Sequence, residues 1–482
     1  MRMQLRSNRS SSPAHRRLPL LFAAVFLVAG ASAQRAAAAG SSDDDPFAPH
    51  KATKSDKDKD DKARKDREKA EREKADKAEK DKADKARADS AGKDEKKKDA
   101  DKPDKSIEDT ATKRAGTEFA GYSDTDHITV VTPSIYAGIE NVSGASLNAN
   151  YLVDIVSAAS ADIVSTASRR WEEVRQAGGL SGQYKPHDLG IGLGGTVSRE
   201  PDYLSYGFFL TGVMDLDEKN WTLTGGYGYS HDTAGRCGAY GACTPFSVFS
   251  RDLERSSLNA GLAWVVDRAS LASLSMDVVL ESGDQSKVYR YIPMFSPSIA
   301  ASLPNGASID YVNSVRLPER PLEQLPLERH RFALTARYAH RFDSSTVRLE
   351  ERLYDDDWGL FATSSDVRWI FDLGQRFVVW PHARLHAQTS VSFWQKGYVS
   401  DNPNGDPGTW SVPLYRTGDR ELGPLATVEG GFGFKWYLGG AADPRTWQLG
   451  LTGDLMYTSF LDDLYLTQRT AFLGALTLET VW

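Results

Sequence analysis

From residue 128 to its end, the chain alternates apolar residues with polar or small ones, in segments of about ten residues separated by turn residues. In the segment 258–266, for example, Leu258, Leu262 and Trp264 occupy even positions, and Asn259 and Gly261 lie between them. Successive side chains of a β-strand point to opposite faces, so a period of two gives each strand one apolar face. The body of the chain is therefore expected to be all-β.

The connections and the aromatic residues decide among all-β folds, because a soluble sandwich or propeller also alternates. Short turns at 217–220, 267–270, 342–345, 373–376 and 440–444 alternate with long loops at 231–254, 282–326 and 397–420. Short turns at one end of the strands and long loops at the other are typical of antiparallel transmembrane β-barrels. Aromatic residues toward strand ends, as in the girdles of such barrels, favour the same fold: Trp221, Tyr229, Trp264, Trp369, Trp436 and Trp447.

The number of strands follows from the alternating segments. A weaker segment at 115–122 brings the total to 16, an even number as in most single-chain bacterial barrels, and the loss of a weak segment would give 14. The other segments lie at 128–140, 145–156, 171–183, 188–198, 203–216, 220–230, 256–267, 271–281, 329–341, 346–354, 361–373, 377–394, 425–438, 446–459 and 464–482.

The last segment carries an apolar face and ends on an aromatic residue. Phe472, Leu476, Leu478 and the terminal Trp482 share that face. Such a closing strand resembles the signal that the outer-membrane barrel-assembly machinery reads. That machinery and outer-membrane lipid are therefore expected partners.

Residues 1–33 have the features of a secretory signal peptide. Arg16 and Arg17 precede an apolar run at 18–28 that is too short to span a bilayer, and Ala31-Ser32-Ala33 supplies a cleavage site. The rest of the chain has no window of about eighteen consecutive apolar residues, so no helical membrane span is expected in the mature protein.

Residues 34–114 form a low-complexity arm before the barrel, which we place at 115–482. The tract 51–105 holds 22 Lys or Arg and 18 Asp or Glu, with no Val, Leu, Ile, Phe, Trp or Tyr. Nothing in it can form a core, so we expect disorder, with a single charged helix where charges of opposite sign alternate over 67–88. Residues 106–482 carry 31 basic and 45 acidic side chains, which argues against a nucleic-acid partner.

Several strands place charged residues opposite their apolar face. A charge facing lipid costs roughly 2–4 kcal/mol at the bilayer midplane, so these faces must point into the lumen. Two interpretations stay open: the charges line an aqueous pore with a transverse field, or they pair into a network that fills the barrel. The predicted ladder comprises Arg331, Arg337, Arg348, Glu350, Arg352, Asp366, Arg368, Asp372, His382, Arg384, His386 and Glu429.

Cys237 and Cys243 are the only cysteines and lie in one loop. In an oxidising compartment a disulfide is the simplest interpretation, and a redox or metal pair is the alternative. No spaced calcium or phosphate motif occurs, so we expect neither a metal nor a cofactor. Outer-membrane hydrolases use Ser-His or Asp-His sites, but His382 and His386 lie in the lumen wall without a serine motif, so we expect no catalytic residues.

Several long strings resemble a bacterial outer-membrane family catalogued as domain of unknown function 3570. They include YLVDIVSAASADIVSTASRRW (151–171), EPDYLSYG (200–207), NWTLTGGYGYSHDT (220–233), GDQSKVYRYIPMF (283–295), ERPLEQLPLERHRFALTARYAHRF (319–342) and LEERLYDDDWGL (349–360). The resemblance covers roughly 125–440 and implies a barrel of unassigned activity in the outer membrane of a Gram-negative bacterium. It assigns no catalytic residue.

These observations predict a non-enzymatic barrel that forms a pore or the outer-membrane component of an envelope system, with its arm in the periplasm. The rival is a structural anchor with a closed lumen, whose arm (51–105) binds a periplasmic protein or peptidoglycan. An outer-membrane hydrolase is a distant third.

Overall fold

A computed structural model describes residues 111–158, 171–237, 243–400, 411–439 and 446–482. In these ranges sixteen strands form one closed antiparallel barrel, as the alternation predicted. Strands β1 to β7 span Ala111–Asp124, Ile128–Asn141, Ala145–Ala158, Trp171–Tyr184, Leu189–Glu200, Tyr203–Leu216 and Trp221–Ala234. They continue with β10 (Arg251–Val265), β11 (Ser270–Gly283), β13 (Glu328–Arg341), β14 (Ser345–Asp356), β15 (Phe361–Leu373), β16 (Phe377–Gln388), β18 (Leu425–Tyr437), β19 (Trp447–Phe460) and β20 (Gln468–Val481).

Each barrel strand pairs with the next one along the chain, and β1 closes the barrel against β20. The backbone groups of Lys113 and Trp482 exchange two hydrogen bonds that lock this seam. Closure leaves no strand edge unpaired, which a sheet in lipid requires because hydrocarbon offers no hydrogen-bond partner. The two short strand pairs outside the barrel are β8 (Arg236–Cys237) with β9 (Cys243–Thr244) and β12 (Met294–Phe295) with β17 (Tyr398–Val399).

The outer face of the barrel is predominantly apolar, although Glu351 of β14 lies on it and accepts hydrogen bonds from Thr363 and Ser365 of β15. Large exposed hydrophobic side chains recur at every second position, such as Leu189, Ile191 and Leu193 on β5. On β20 the exposed set includes Phe472, Leu476 and Leu478, the face predicted for the closing strand. An exterior of this kind is stable in a bilayer and unfavourable in water, which makes the fold a transmembrane β-barrel.

Tryptophans cluster at the end of the barrel where the short turns lie, which we call the turn end. Trp221 and Trp447 begin their strands, while Trp264 and Trp436 stand next to the last residue of theirs. Tyr229 is an exception: it lies well inside β7, packs against Phe208 and does not belong to a girdle at a strand end.

The opposite end of the strands, the loop end, carries a folded cap. In the described residues it is built from 284–327, 357–360, 389–400, 411–424 and 461–467, with two short helices, α1 (Pro297–Ala300) and α2 (Ile309–Val315). Three buried apolar clusters hold the cap together, centred on Phe295, Trp358 and Tyr398. Among the described residues, no helix is long and apolar enough to cross a membrane, a finding that says nothing of a β-barrel.

The cap corrects two predicted strands. The segment predicted at 377–394 ends at Gln388, because Val391 turns into the cap and is buried among Leu325, Trp358 and Leu360. The last strand begins at Gln468 instead of 464, because Leu464 packs into the cap cluster of Phe295. Apolar residues in these segments serve the cap and not the bilayer.

Not every connection at the loop end is long. The connections 125–127, 201–202 and 357–360 lie at that end and are short. Residues 1–110, with the predicted signal peptide and most of the arm, lie outside the described residues, as does the predicted turn at 440–444.

Candidate functional site in the lumen

Every member of the predicted charge ladder lies on the inner side of its strand. On β13, Phe332 and Leu334 are exposed on the outer side, so Arg331 and Arg337 point inward. The same parity holds for the ladder residues on β14, β15, β16 and β18, where exposed apolar residues such as Leu349, Val367 and Val428 occupy the intervening positions. Together with the inner sides of β10, β11 and β19, they form what we call the charged wall.

Charges on this wall pair with each other, either on neighbouring strands or across one intervening strand. The Nε of Arg337 donates to Oε2 of Glu350 at 2.6 Å, and Arg341 pairs with Asp372 at 2.5 Å. The Arg337 and Glu350 side chains keep 44% and 33% of their exposure, so water reaches this pair from the lumen. The wall is therefore paired but hydrated at this level of the barrel.

Two acids that sequence reasoning missed complete the pairing. Asp277 on β11 accepts from Arg352 at 2.9 Å, and the fully buried carboxylate of Glu281 contacts both Arg331 at 2.6 Å and Arg255 at 2.9 Å. The sequence held the signal, since both acids occupy odd positions of β11, opposite its outward apolar residues at even positions. Their arginine partners depend on strand register, which the sequence does not give.

His382 lies between two carboxylates. Its Nε2 is 2.5 Å from Oδ1 of Asp454 on β19, and its Nδ1 is 3.7 Å from Oδ2 of Asp366 on β15. The contact with Asp454 crosses β18 at Gly431, where a Cβ would collide with both Asp454 and His382. Glycine at 431 therefore allows the pair to form.

The remaining ladder residues lie beside this group. Arg348 stands opposite Arg368 in the strand register, Arg368 opposite His382, and Arg384 opposite both Asp366 and Glu429. His386 is buried, and its Nε2 lies 3.1 Å from Oε1 of Gln388. One row across these strands therefore holds the basic residues Arg348, Arg368 and His382, and the next row holds Glu350, Asp366, Arg384 and Glu429.

Two groups of side chains approach the spacing of metal ligands in the described part of the chain. One is His382, Glu429 and Asp454, and the other is Glu173, Glu200 and Asp202, with ligand atoms within 4.8 Å of one another in each. In the first group His382 already pairs with Asp454, and Arg384 stands opposite Glu429, so an ion-paired network accounts for it. Of the two hydrolase candidates, His382 belongs to this network and His386 contacts Gln388.

The inner sides of β3 to β7 differ from the charged wall. Side-chain amides and hydroxyls dominate their middle, and their charged groups are paired at the rims, as in Arg175 with Asp154 at 2.6 Å and Lys185 with Asp215 at 2.8 Å. We call this face the amide–hydroxyl wall. It borders a cavity of about 960 Å³ toward the turn end, lined by Ser146, Asn148, Asn150, Ser181, Gln183, Thr196, Thr211 and Thr224 among others.

A lane of glycines on β5 shapes this cavity. Gly190, Gly192 and Gly194 are consecutive inward residues, since Leu189, Ile191 and Leu193 face outward. A Cβ at Gly192 would lie 2.5 Å from Oγ1 of Thr211, and one at Gly194 would overlap the ring of Phe209. Gly192 borders the cavity, whereas the space beside Gly190 is taken by Val213 and Lys185 and the space beside Gly194 by Phe209.

The cap reaches the inner face of the barrel at a short 3₁₀ helix, Arg420–Leu422. Arg420 pairs with Asp126 of the β1–β2 turn at 3.3 Å, and Glu421 accepts from Arg469 on β20 at 2.9 Å. Next to it, burial alone would raise the pKa of Asp419, but the Arg290 guanidinium 2.8 Å away outweighs that effect and lowers the pKa to about 2. Fixed ion pairs therefore hold the cap at one side of the mouth.

The cysteines form the predicted disulfide, Cys237 with Cys243, in the connection between β7 and β10. The Tyr289 hydroxyl accepts from the Cys237 backbone N–H and donates to Asp202. Burial and the hydrogen bond to Asp202 raise the pKa of Tyr289 well above its usual range. The disulfide loop is thus tied to the cap connection 284–327.

A closed barrel with an apolar exterior and a polar interior defines a transmembrane β-barrel protein. The family model described as "Protein of unknown function (DUF3570)" matches residues 165–447, and the chain belongs to this family. A search of the curated proteins finds no match.

Solved outer-membrane proteins share the barrel architecture at low similarity. The siderophore receptor PirA of Acinetobacter baumannii has a TM-score of 0.36 and 14% identity, with 72% of this chain covering 53% of the receptor. A bacterial polysaccharide outer membrane secretin has a TM-score of 0.40 and 8% identity, and the match covers 78% of this chain and 100% of the secretin. The outer membrane protein OprD of Pseudomonas aeruginosa has a TM-score of 0.37 and 8% identity, and the match covers 78% of this chain and 94% of OprD. TM-scores this low assign the chain to the functional class of none of them.

Proposed function

We propose that this protein is a non-enzymatic outer-membrane pore for small hydrophilic solutes. One observation carries the proposal: the inner side of the barrel borders a cavity of about 960 Å³ that is lined by polar side chains and, on β5, by the inward Gly192. A lumen that served only as a packed core would place large side chains at these positions.

Partial exposure of the charged wall supports the same function. Arg352 and Asp277 keep 35% and 37% of their side-chain exposure while they pair. Hydrated pairs of fixed charge next to a water-filled space are what an aqueous channel requires.

The proposal includes a location and partners. Export by the N-terminal signal, insertion by the barrel-assembly machinery through the closing strand, and a periplasmic arm all agree with an apolar exterior in a bilayer. The arm 51–105 would then lie on the side of the turn end, where β1 begins.

A second candidate is the closed-lumen anchor, in which the arm holds a periplasmic protein or peptidoglycan. The cap favours it, since its connections bury apolar clusters and contact the inner face through Gln388 and Arg469. A cap that covers the whole mouth would stop conduction whatever the cavity below it holds.

Planar bilayers separate the two candidates. The purified full chain is expected to conduct ions, and Arg348→Glu with Arg352→Glu is expected to shift its preference toward cations, because fixed charges set the field of a pore. Silence of the wild-type protein, together with loss of a periplasmic partner on deletion of 51–105, would overturn the pore and favour the anchor.

A further inference from the structure

Hydrogen-bonding capacity is distributed unequally inside the barrel. On the charged wall, the ladder groups on β13 and β14 pair with charged groups of the same wall, as Arg337 does with Glu350 and Arg352 with Asp277. On the amide–hydroxyl wall, no group in the described part of the chain hydrogen-bonds the side chains of Ser181, Gln183, Thr196, Thr211 or Thr224. Their donors and acceptors are available to whatever occupies the cavity.

These groups stand close enough to act together. Gln183 and Ser181 lie on β4 in register with Gly192 and Gly194 of β5, and Thr211 follows opposite Gly192 on β6. Neighbouring strands are about 4.8 Å apart, so amide and hydroxyl groups repeat across the wall at the spacing of a sheet. A hydroxyl donates and accepts at once, and an amide offers both functions on one side chain.

The charged groups at this cavity make hydrogen bonds within the protein, except Glu140, which is exposed at its border. The Lys185 ammonium is held by Asp215, which also accepts from the Thr222 hydroxyl at 2.9 Å. The Arg114 guanidinium donates to the Asn148 side chain at 2.9 Å, and the Tyr136 hydroxyl donates to Glu479. A charged solute would compete with these contacts for their charged groups, whereas a neutral solute would not have to displace them.

An aromatic ring adds an apolar contact. Phe209 points inward from β6, borders the cavity and lies across Gly194, whose missing side chain makes room for the ring. Binding sites for small molecules combine such an apolar surface with a few oriented polar groups. Carbohydrates have the complementary make-up, with hydroxyl groups around the ring and apolar C–H faces.

We propose that the amide–hydroxyl wall is a binding surface for neutral, hydroxyl-rich solutes, in particular neutral oligosaccharides. The inference deepens the proposed pore function, since the cavity must be open to solutes. It assigns selectivity to the uncharged wall and not to the predicted charge ladder.

Isothermal titration calorimetry on the detergent-purified full chain tests the inference. Maltohexaose, cellotetraose and xylohexaose are the neutral probes, and hexagalacturonate is a charged probe of similar size. Weak, millimolar binding of at least one neutral probe is expected, with weaker or absent binding of hexagalacturonate. Absence of binding for all three neutral probes, or hexagalacturonate binding as tight as theirs, would overturn the inference.

Variants localise the binding. Thr211→Val and Gln183→Leu keep the shape and remove one hydrogen-bonding group, so each should weaken binding about five- to tenfold. Thr452→Val is the matched control, since Thr452 is an inward residue of β19 that does not border the cavity. All variants must retain heat-modifiable mobility on gels, which shows that the barrel has folded. Equal weakening by Thr452→Val would overturn the assignment to this wall.

Planar bilayer recordings on the same preparation keep the two proposals apart. Binding without conductance would overturn the pore function and support the binding surface. If the protein conducts but no neutral probe binds or blocks the current, the binding surface is overturned and the pore function is supported.

Discussion

The charged wall and the amide–hydroxyl wall are made from the same kind of strand, yet they solve different problems. On the charged wall, opposite charges on adjacent strands satisfy one another, as Arg331 does with Glu281. On the amide–hydroxyl wall, small residues keep their hydrogen-bonding groups directed at the cavity. A buried charge needs a partner to be tolerated, whereas a hydroxyl or amide facing water does not. Paired charges therefore make the charged wall rigid, whereas the uncharged groups of the amide–hydroxyl wall stay available to solutes.

The largest expected effect comes from breaking a buried pair on the charged wall. Asp356→Ala should destabilise the barrel by about 3–5 kcal/mol, because it leaves a buried arginine uncompensated. Arg329 contacts Asp356 at 2.5 Å, and the Asp356 carboxylate also accepts from the backbone of Trp358 and Leu360. Urea unfolding followed by gel mobility measures the loss. Asp355→Ala, at the exposed neighbouring position, is the control. Equal stability of both variants would refute the claim that the charges of this wall stabilise one another by pairing.

A hydrated pair on the same wall should act on selectivity more than on stability. Asp277→Asn frees the Arg352 guanidinium, so anion preference in planar bilayers should rise several-fold. Stability should fall by no more than about 1 kcal/mol, because the pair is partly exposed and screened by water. Thr211→Val on the opposite wall should leave ion preference unchanged. A shift of ion preference in Thr211→Val of the same size would remove the distinction between the walls.

The pH dependence of the cap should be smaller and confined to acid. The pKa of Asp419 is about 2 when it is folded against Arg290 and near 4 when the chain is unfolded. Its contribution to stability is therefore complete above pH 4 and disappears as the pH falls through 2. Pepsin cleavage within 389–424 should rise between pH 4 and pH 2 in the wild type.

Substitutions in the cap separate this pair from general acid effects. Asp419→Asn should open the connection to proteases already at neutral pH, whereas Asp462→Asn at the exposed pair with Lys396 should not. Cleavage of the wild type that does not change between pH 4 and pH 2 would contradict the role of Asp419.

The smallest effect is expected from the disulfide. Cys237→Ser with Cys243→Ser should leave the barrel folded and conducting, since the bridge closes a loop of only a few residues outside the strands. Maleimide labelling of intact wild-type cells should require prior reduction. Strong labelling without reductant would mean that the thiols are free.

Sequence alternation predicted the strands because side-chain parity is a local property. It placed Arg337 and Glu350 on the inner side, yet which charges meet depends on register, and so Asp277 and Glu281 were missed. The cap was beyond such reasoning, because Phe295 and Tyr398 pack without any period across loops far apart in the chain. The glycines of β5 were recognised as part of a strand, but the cavity emerges only when β4 and β6 flank them.

Conductance of a barrel with the glycine lane filled tests the central claim most directly. Gly192→Leu places a side chain in the cavity, with its Cβ 2.5 Å from the present position of the Thr211 Oγ1, so that hydroxyl must shift, and heat-modifiable mobility on gels checks that the variant has folded. Gly430→Leu is the matched control on the outer face of β18, where an added Cβ meets no atom within 4 Å. We expect single-channel current in the wild type and in Gly430→Leu. In Gly192→Leu the current should fall by about half, because the open cross-section sets conductance. Absence of current in the folded wild type, or equal currents in all three proteins, would contradict the central claim.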